Sequence, residues 1–250
     1  IVIRPGIPAR IREKMADSSI SAVVGVYSGD ESDQGLVTRY KNHWIRFSYC
    51  LYQGPIDWIF GSITAMRKET FDRTHGFNTS LAARDGIDDI EFGKRLVENG
   101  FRIELDTGLI VTHLKEFTLF SLLRNEFYRS MGFARLAMLL GQTGQSIGHG
   151  FANIYPEFII GTLYGPAMGL AGIASLIWKI PHPGWLLGLV GVYLVLNIRF
   201  LLYLFRERQY RLCLISPGLL WLDQVFCLIG GGWGTLIGLC RRFFTRNTPS

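Results

Sequence analysis

The sequence predicts an α/β domain with helices flanking its sheet, followed by α-helical transmembrane segments. Three observations carry that reading. Over residues 1–140, short apolar runs of strand character alternate with stretches of helical period. Segments 158–178, 185–205 and 219–239 are then almost uninterruptedly apolar, each on the order of 20 residues, the length that crosses a hydrocarbon core. Charge divides in the same place: 18 basic against 17 acidic residues over 1–150, but 8 against 3 over 151–250, so most of the net +6 flanks hydrophobic runs. That pattern points to membrane lipids rather than nucleic acid, and no RNA- or DNA-reading motif is present. The organisation expected is a domain over 1–140, a glycine-rich linker over 141–157, and a membrane region over 158–250.

Ile1-Val2-Ile3 before Pro5-Gly6 reads as a strand ending in a turn, so the chain is expected to begin in mid-domain. Ile7, Ile11 and Met15 recur every fourth residue and predict an amphipathic helix. Residues 21–27 form a buried-type strand, and the polar run 28–35 a loop. Over 36–52, Trp44, Phe47 and Leu51 share a helical face that fits either the domain core or a membrane surface, the core being favoured. Trp58-Ile59-Phe60 is broken by Gly61-Ser62, where a glycine lets backbone approach a substrate closely, or where a plain turn leads to a helix. Residues 101–105 and 109–113 read as two short strands. His113 ends the second, and a histidine at a strand end is either a metal ligand or a hydrogen-bonded structural residue. His43, His75, His149 and His182 have no partner at metal-ligand spacing. The four cysteines lack CxxC spacing and read as buried free thiols.

The densest chemistry lies in Asp85-Gly86-Ile87-Asp88-Asp89-Ile90-Glu91-Phe92-Gly93-Lys94-Arg95-Leu96, with four carboxylates in seven positions. Asp88 followed by Glu91 predicts a capping box, Phe92 and Leu96 a buried face, and Gly100 a C-terminal stop. Asp89 then falls in the first turn, where the helix dipole favours an ionised carboxylate able to take a proton from a hydroxyl. The alternative is a capped surface helix with solvated acids.

Gly61-Ser62 with Arg67, then Gly76-Phe77-Asn78, then the acidic stretch through Arg95-Leu96, resemble the acceptor-side half of the family 2 glycosyltransferases, over roughly residues 1–135. The resemblance implies part of a GT-A fold, with its Rossmann-like sheet, and inverting transfer of a sugar from a nucleotide-sugar donor to a lipid-linked or glycan acceptor. It makes Asp89 the general base, with Asp88 setting its environment, and Gly61, Ser62, Arg67 and Glu91 substrate contacts. It also implies a divalent metal, Mg or Mn. The family's main metal motif, Asp-x-Asp, is absent from this sequence, and His113 is the remaining candidate ligand. The Gln-x-x-Arg-Trp motif of processive synthases is absent too, which leaves Arg124 a weak diphosphate contact. Arg124, Arg129 and Arg135 fit better on an interfacial helix near lipid phosphates.

In the membrane region, 158–178 and 185–205 read as a transmembrane hairpin around Pro181-His182-Pro183-Gly184. Segment 219–239 is long enough to span but contains Asp223 and Gly230-Gly231-Gly232-Trp233-Gly234, so it reads either as a third span or as a re-entrant or interfacial piece. Arg206, Arg208 and Arg211 place the catalytic side in the cytoplasm, at the cell membrane. The competing class is a non-catalytic membrane protein that recruits a partner enzyme or a lipid-linked glycan.

Overall fold

The computed structural model describes residues 1–29, 34–52, 54–79, 86–141, 151–179 and 184–246, with the side chains of 139 and 241–246 left aside. They divide into two compact units, Ile1–Leu119 and Phe120–Ser250. The division therefore falls about twenty residues before the boundary expected near 140, and the expected linker lies mostly outside the described residues.

The first unit contains β1 (Val2–Ile3), α1 (Ile7–Met15), β2 (Ile20–Tyr27), α2 (Leu36–Cys50), β3 (Gly54–Ile56), β4 (Thr64–Met66), α3 (Lys68–Arg73), α4 (Asp88–Glu98) and β5 (Arg102–Thr112). The sheet order is β1-β5-β2-β4, with β3 also on β5. Every residue of β2 is buried, as its unbroken apolar text requires of a central strand. Only β2 and β5 pair in parallel; β1, β3 and β4 join antiparallel as pieces of two or three residues. The sheet is therefore mixed, with helices flanking it as the α/β reading expects. Helices α1, α2 and α4 pack against this central pair, and Trp44 and Phe47 of α2 are buried in the core, not on a membrane face.

The two strands expected over 101–113 are one. Asp106-Thr107-Gly108 reads as a break, yet β5 continues through it as a bulge: Val24 pairs with Leu105 and Val26 with Ile110. Asp106 is 5 % exposed, and Arg10 neutralises it with two hydrogen bonds of 2.6 and 2.7 Å. Gly108 donates its N–H to Asp106 at 3.0 Å, and a Cβ at Gly108 would lie 2.3 Å from the Arg10 guanidinium. Burial pushes the Asp106 carboxyl up, but Arg10 and the Gly108 amide outweigh it and hold it below its ordinary value.

In α4, Phe92 and Leu96 are fully buried, as their spacing predicts, and Ile90 is buried as well. The helix ends in a Schellman motif: Gly100 has φ 80°, its N–H donates to Val97 O, and Phe101 N–H donates to Leu96 O. The capping box is not formed. Ile87 is the N-cap and no side chain caps it, while Glu91 pairs with Arg95 at 2.8 Å.

The second unit contains α5 (Leu119–Leu139, whose first residue closes the first unit), α6 (Pro156–Ile177), α7 (Gly184–Leu196), α8 (Ile198–Arg206) and α9 (Tyr210–Arg246). Two stretches, Pro156–Ile177 and Tyr210–Cys240, are long and apolar enough to cross a membrane. The pair α7–α8 qualifies only as one span bent by 62°. The segment 185–205, expected as one straight span, is bent, and 219–239, expected either to span or to be re-entrant, lies in one continuous helix. The break falls at Asn197, which is buried and donates to Tyr193 O at 2.9 Å while accepting from Gln224 Nε2 at 3.2 Å. The helix runs on through its glycines, two of which serve packing. A Cβ at Gly230 would lie 2.2 Å from the Phe127 carbonyl oxygen, and one at Gly234 the same distance from that of Met131.

Replacing Arg10 by Met removes the cation that neutralises Asp106. At pH 7 the full chain in detergent should lose about 1–3 kcal/mol of stability, read by denaturant unfolding. Because the folded-state value of Asp106 is depressed, its contribution is present above the unfolded value and lost as pH falls through the folded one. The penalty of R10M should therefore shrink below pH 4, and an equal penalty at pH 3 and pH 7 would contradict this account.

Candidate active site

The acid at the start of α4 faces a short irregular segment that precedes β4. Asp89 is the second residue of the helix and half-buried; its Oδ1 accepts the Ile90 N–H at 2.8 Å. Its Oδ2 lies 3.4 Å from the backbone N of Gly61, a long hydrogen bond. Gly61 and Ser62 are exposed, so this carboxylate stands at an accessible edge. The segment leading to Gly61 runs along α4. Asp57 Oδ2 accepts from Lys94 Nζ at 2.7 Å, and a Cβ at Gly93 would lie 2.4 Å from Trp58 Cα. A turn closes beyond it, with Ile63 N–H donating to Phe60 O at 2.9 Å and Thr64 Oγ1 to the same oxygen at 2.8 Å.

From Ser62 a polar chain leads to the end of the sheet. Ser62 Oγ is 2.6 Å from the Tyr27 hydroxyl, and the Tyr27 ring stacks on His113 with centroids 4.3 Å apart and planes 12° off parallel. His113 Nδ1 lies 3.1 Å from Asn42 Oδ1, Asn42 Nδ2 donates to Gln34 Oε1 at 2.9 Å, and Gln34 Nε2 donates to His113 O at 2.9 Å. This closed ring decides the tautomer. Asn42 uses its amide N–H toward Gln34, so its oxygen accepts, and His113 must donate from Nδ1. The lone pair of the imidazole is then on Nε2. Burial, with Lys115 adding to it, lowers the His113 value from 6.5 to about 4.

Asp89, Gly61, Ser62 and His113 are therefore linked within one unit. Other candidates are engaged elsewhere. Arg67 donates to the backbone oxygens of Ile20, Met15 and Asp17, so its guanidinium ties the α1–β2 turn instead of lining the site. Glu91 is held by Arg95, which also donates to Thr74 O and Gly76 O, and so fixes the 74–76 turn rather than a substrate. Asp88 is the first residue of α4, half-buried. Arg124 lies in the second unit, exposed, 5.8 Å from the Tyr128 ring centroid. The residues that sequence reasoning missed are Tyr27, Asn42 and Gln34. Tyr27 carried a faint signal, a phenol closing an otherwise apolar strand; Gln34 carried none.

His113 fits the part of a metal ligand in one respect: an oriented imidazole with its second nitrogen held by an amide is how such ligands are fixed. It supplies a single donor atom. The group of acids and thiols among the described residues that is close enough to hold an ion is elsewhere, in the second unit, where ligand atoms of Glu126, Asp223 and Cys227 lie within 4.8 Å of one another.

Residues 42–118, from Asn42 through Asp89 and His113 to just past Phe117, match a sequence model described as the N-terminal domain of galactosyltransferase. The chain carries a glycosyltransferase-like domain. No curated protein matches the chain. The match covers most of the linked group, including Asn42, Gly61, Ser62, Asp89 and His113, and leaves Tyr27 and Gln34 outside it. Asp85, the first residue of the acidic stretch, lies outside the described residues.

In ¹³C-histidine-labelled full-length protein, the His113 resonance should titrate with a midpoint near 4, well below that of an exposed imidazole near 6.5. A His113→Asn variant assigns the signal. A midpoint above 6 would contradict the buried, neutral imidazole described above.

Proposed function

We propose that this protein is a membrane-bound inverting glycosyltransferase that moves a sugar from a nucleotide-sugar donor to an acceptor hydroxyl, with Asp89 as general base. The observation that carries the reading is a half-buried carboxylate at a helix start, beside the Gly61 amide, inside the span that matches a galactosyltransferase domain. An ionised carboxylate there accepts the hydroxyl proton as the acceptor oxygen bonds to the anomeric carbon. The bond from that carbon to the donor phosphate oxygen breaks, and the nucleoside diphosphate leaves with the electron pair. Ser62 and Tyr27 supply hydroxyls beside this point, and His113 would be one of the residues to hold a metal ion there. A divalent ion, Mg or Mn by family resemblance, supplies charge stabilisation of the leaving diphosphate when bound. The rest of its ligand set is not among the described residues.

The finer assignments rest on the sequence resemblance: GT-A architecture of the family 2 type, and an acceptor that is a lipid-linked or envelope glycan. A catalytic face on the cytoplasmic side of the cell membrane rests on the basic residues that follow the second apolar segment. The helices apolar enough to span a membrane support association with lipid.

The test uses the full chain in detergent with UDP-galactose, UDP-glucose, UDP-N-acetylglucosamine and GDP-mannose in turn, and a membrane lipid extract as acceptor. The wild type should release nucleoside diphosphate and label lipid from at least one donor. Asp89→Asn should lower transfer by roughly 10²–10⁴-fold with donor affinity nearly intact. Undiminished transfer in D89N removes Asp89 from the mechanism, and no turnover with any donor favours the recruiting role.

A further inference from the structure

We infer that Lys94, Asp57 and Gly93 form a positioning device that sets where the Gly61 amide meets the Asp89 carboxylate. The inference rests on the general-base reading of Asp89 and assigns a role to residues that touch neither substrate nor the reacting atoms.

Residues 57–61 run antiparallel to the first turns of α4 and meet it at three heights. Asp57 is paired with Lys94, the backbone at Trp58 and Ile59 lies on Gly93, and Gly61 N reaches Asp89. Positions 89 and 93 are one turn apart and share a helix face, with 94 adjoining it. Four helical residues rise about 6 Å, and the two steps from Ile59 to Gly61 cover about 7 Å when extended. The segment therefore measures one turn of helix, and the register of its far end decides which atom stands opposite Asp89.

Each contact contributes differently. Gly93 sets the height of the segment: a Cβ there would lie 2.4 Å from Trp58 Cα, 2.5 Å from Ile59 N and 2.6 Å from Trp58 C, all backbone atoms that cannot swing aside. Lys94 sets the register. It is 6 % exposed, and its ammonium pairs with the 46 % exposed carboxylate of Asp57 at 2.7 Å. A buried cation holds its counter-charge more firmly than a solvated one, because water does not replace the partner. Asp57 is free to hydrate if Lys94 is removed, so the register can be released without burying a bare charge on the segment.

The readout is the ratio of sugar transferred to acceptor against donor hydrolysed by water, measured in one reaction with the most active donor of the panel above and the lipid extract. The ratio does not depend on how much protein is folded. Water is mobile and follows a displaced carboxylate; a bound acceptor hydroxyl does not. Lys94→Met and Asp57→Asn should each lower the ratio on the order of tenfold, since misplacement by about 1 Å costs up to 10²-fold. Lys94→Arg, which keeps the cation, should recover it to within about threefold of wild type. Should K94M prove unstable, D57N decides alone: an amide oxygen still accepts from the buried Lys94 ammonium, so the cation keeps a neutral partner while the ion pair is lost. An unchanged ratio in D57N or in folded K94M, with D89N inactive, overturns the device and leaves the general base standing. Undiminished transfer in D89N overturns both.

Discussion

The parallel pairing of β2 with β5 is the constraint on which the rest of the first unit depends. Parallel neighbours end at the same edge of a sheet, so Tyr27, the last residue of β2, and His113, just past the end of β5, emerge side by side and stack. Carboxyl ends of parallel strands are where ligand-handling groups collect in α/β proteins. Here that edge also receives Ser62 through Tyr27 and Asn42 through His113. The pairing in turn demands a tight approach: a Cβ at Gly25 would lie 2.3 Å from the Leu109 carbonyl oxygen, next to the bulge that absorbs Asp106–Gly108. A charge buried in a central strand is tolerated because Arg10 reaches it from α1 and two glycine-dependent contacts leave room.

How much of this was legible in the text depends on the range of the signal. α4 was legible because its spacing and its terminating glycine are local, and Gly100 acts through its own φ. Its capping box was not, because Glu91 had a competing partner one turn on. A bidentate guanidinium at Arg95 outbids a single backbone N–H. The same logic removed Arg67 from the site, since a guanidinium with five donors is readily used up by three carbonyls that only the fold brings together. Asp89 and His113 were legible as chemistry types. The ring through Asn42 and Gln34 was not, because it joins residues 8 and 71 positions apart, and no periodicity records such a closure.

In the second unit the text misled through glycine. A run of four glycines in five residues reads as a break when helix propensity is the only consideration. Two of the four, Gly230 and Gly234, lie against backbone, and α9 passes through the whole run unbroken. The actual break sits at Asn197, whose amide satisfies the backbone that a bend exposes and then finds Gln224 on α9. Polar residues, not glycines, mark the irregular point in this helical region.

At Gly230 and Gly234 the main chain of α9 lies directly on the carbonyls of Phe127 and Met131. No acyl chain fits into a seam that narrow, and neither helix can slide past the other without lifting off it. A larger side chain at Gly230 or Gly234 would therefore part the two helices at that point.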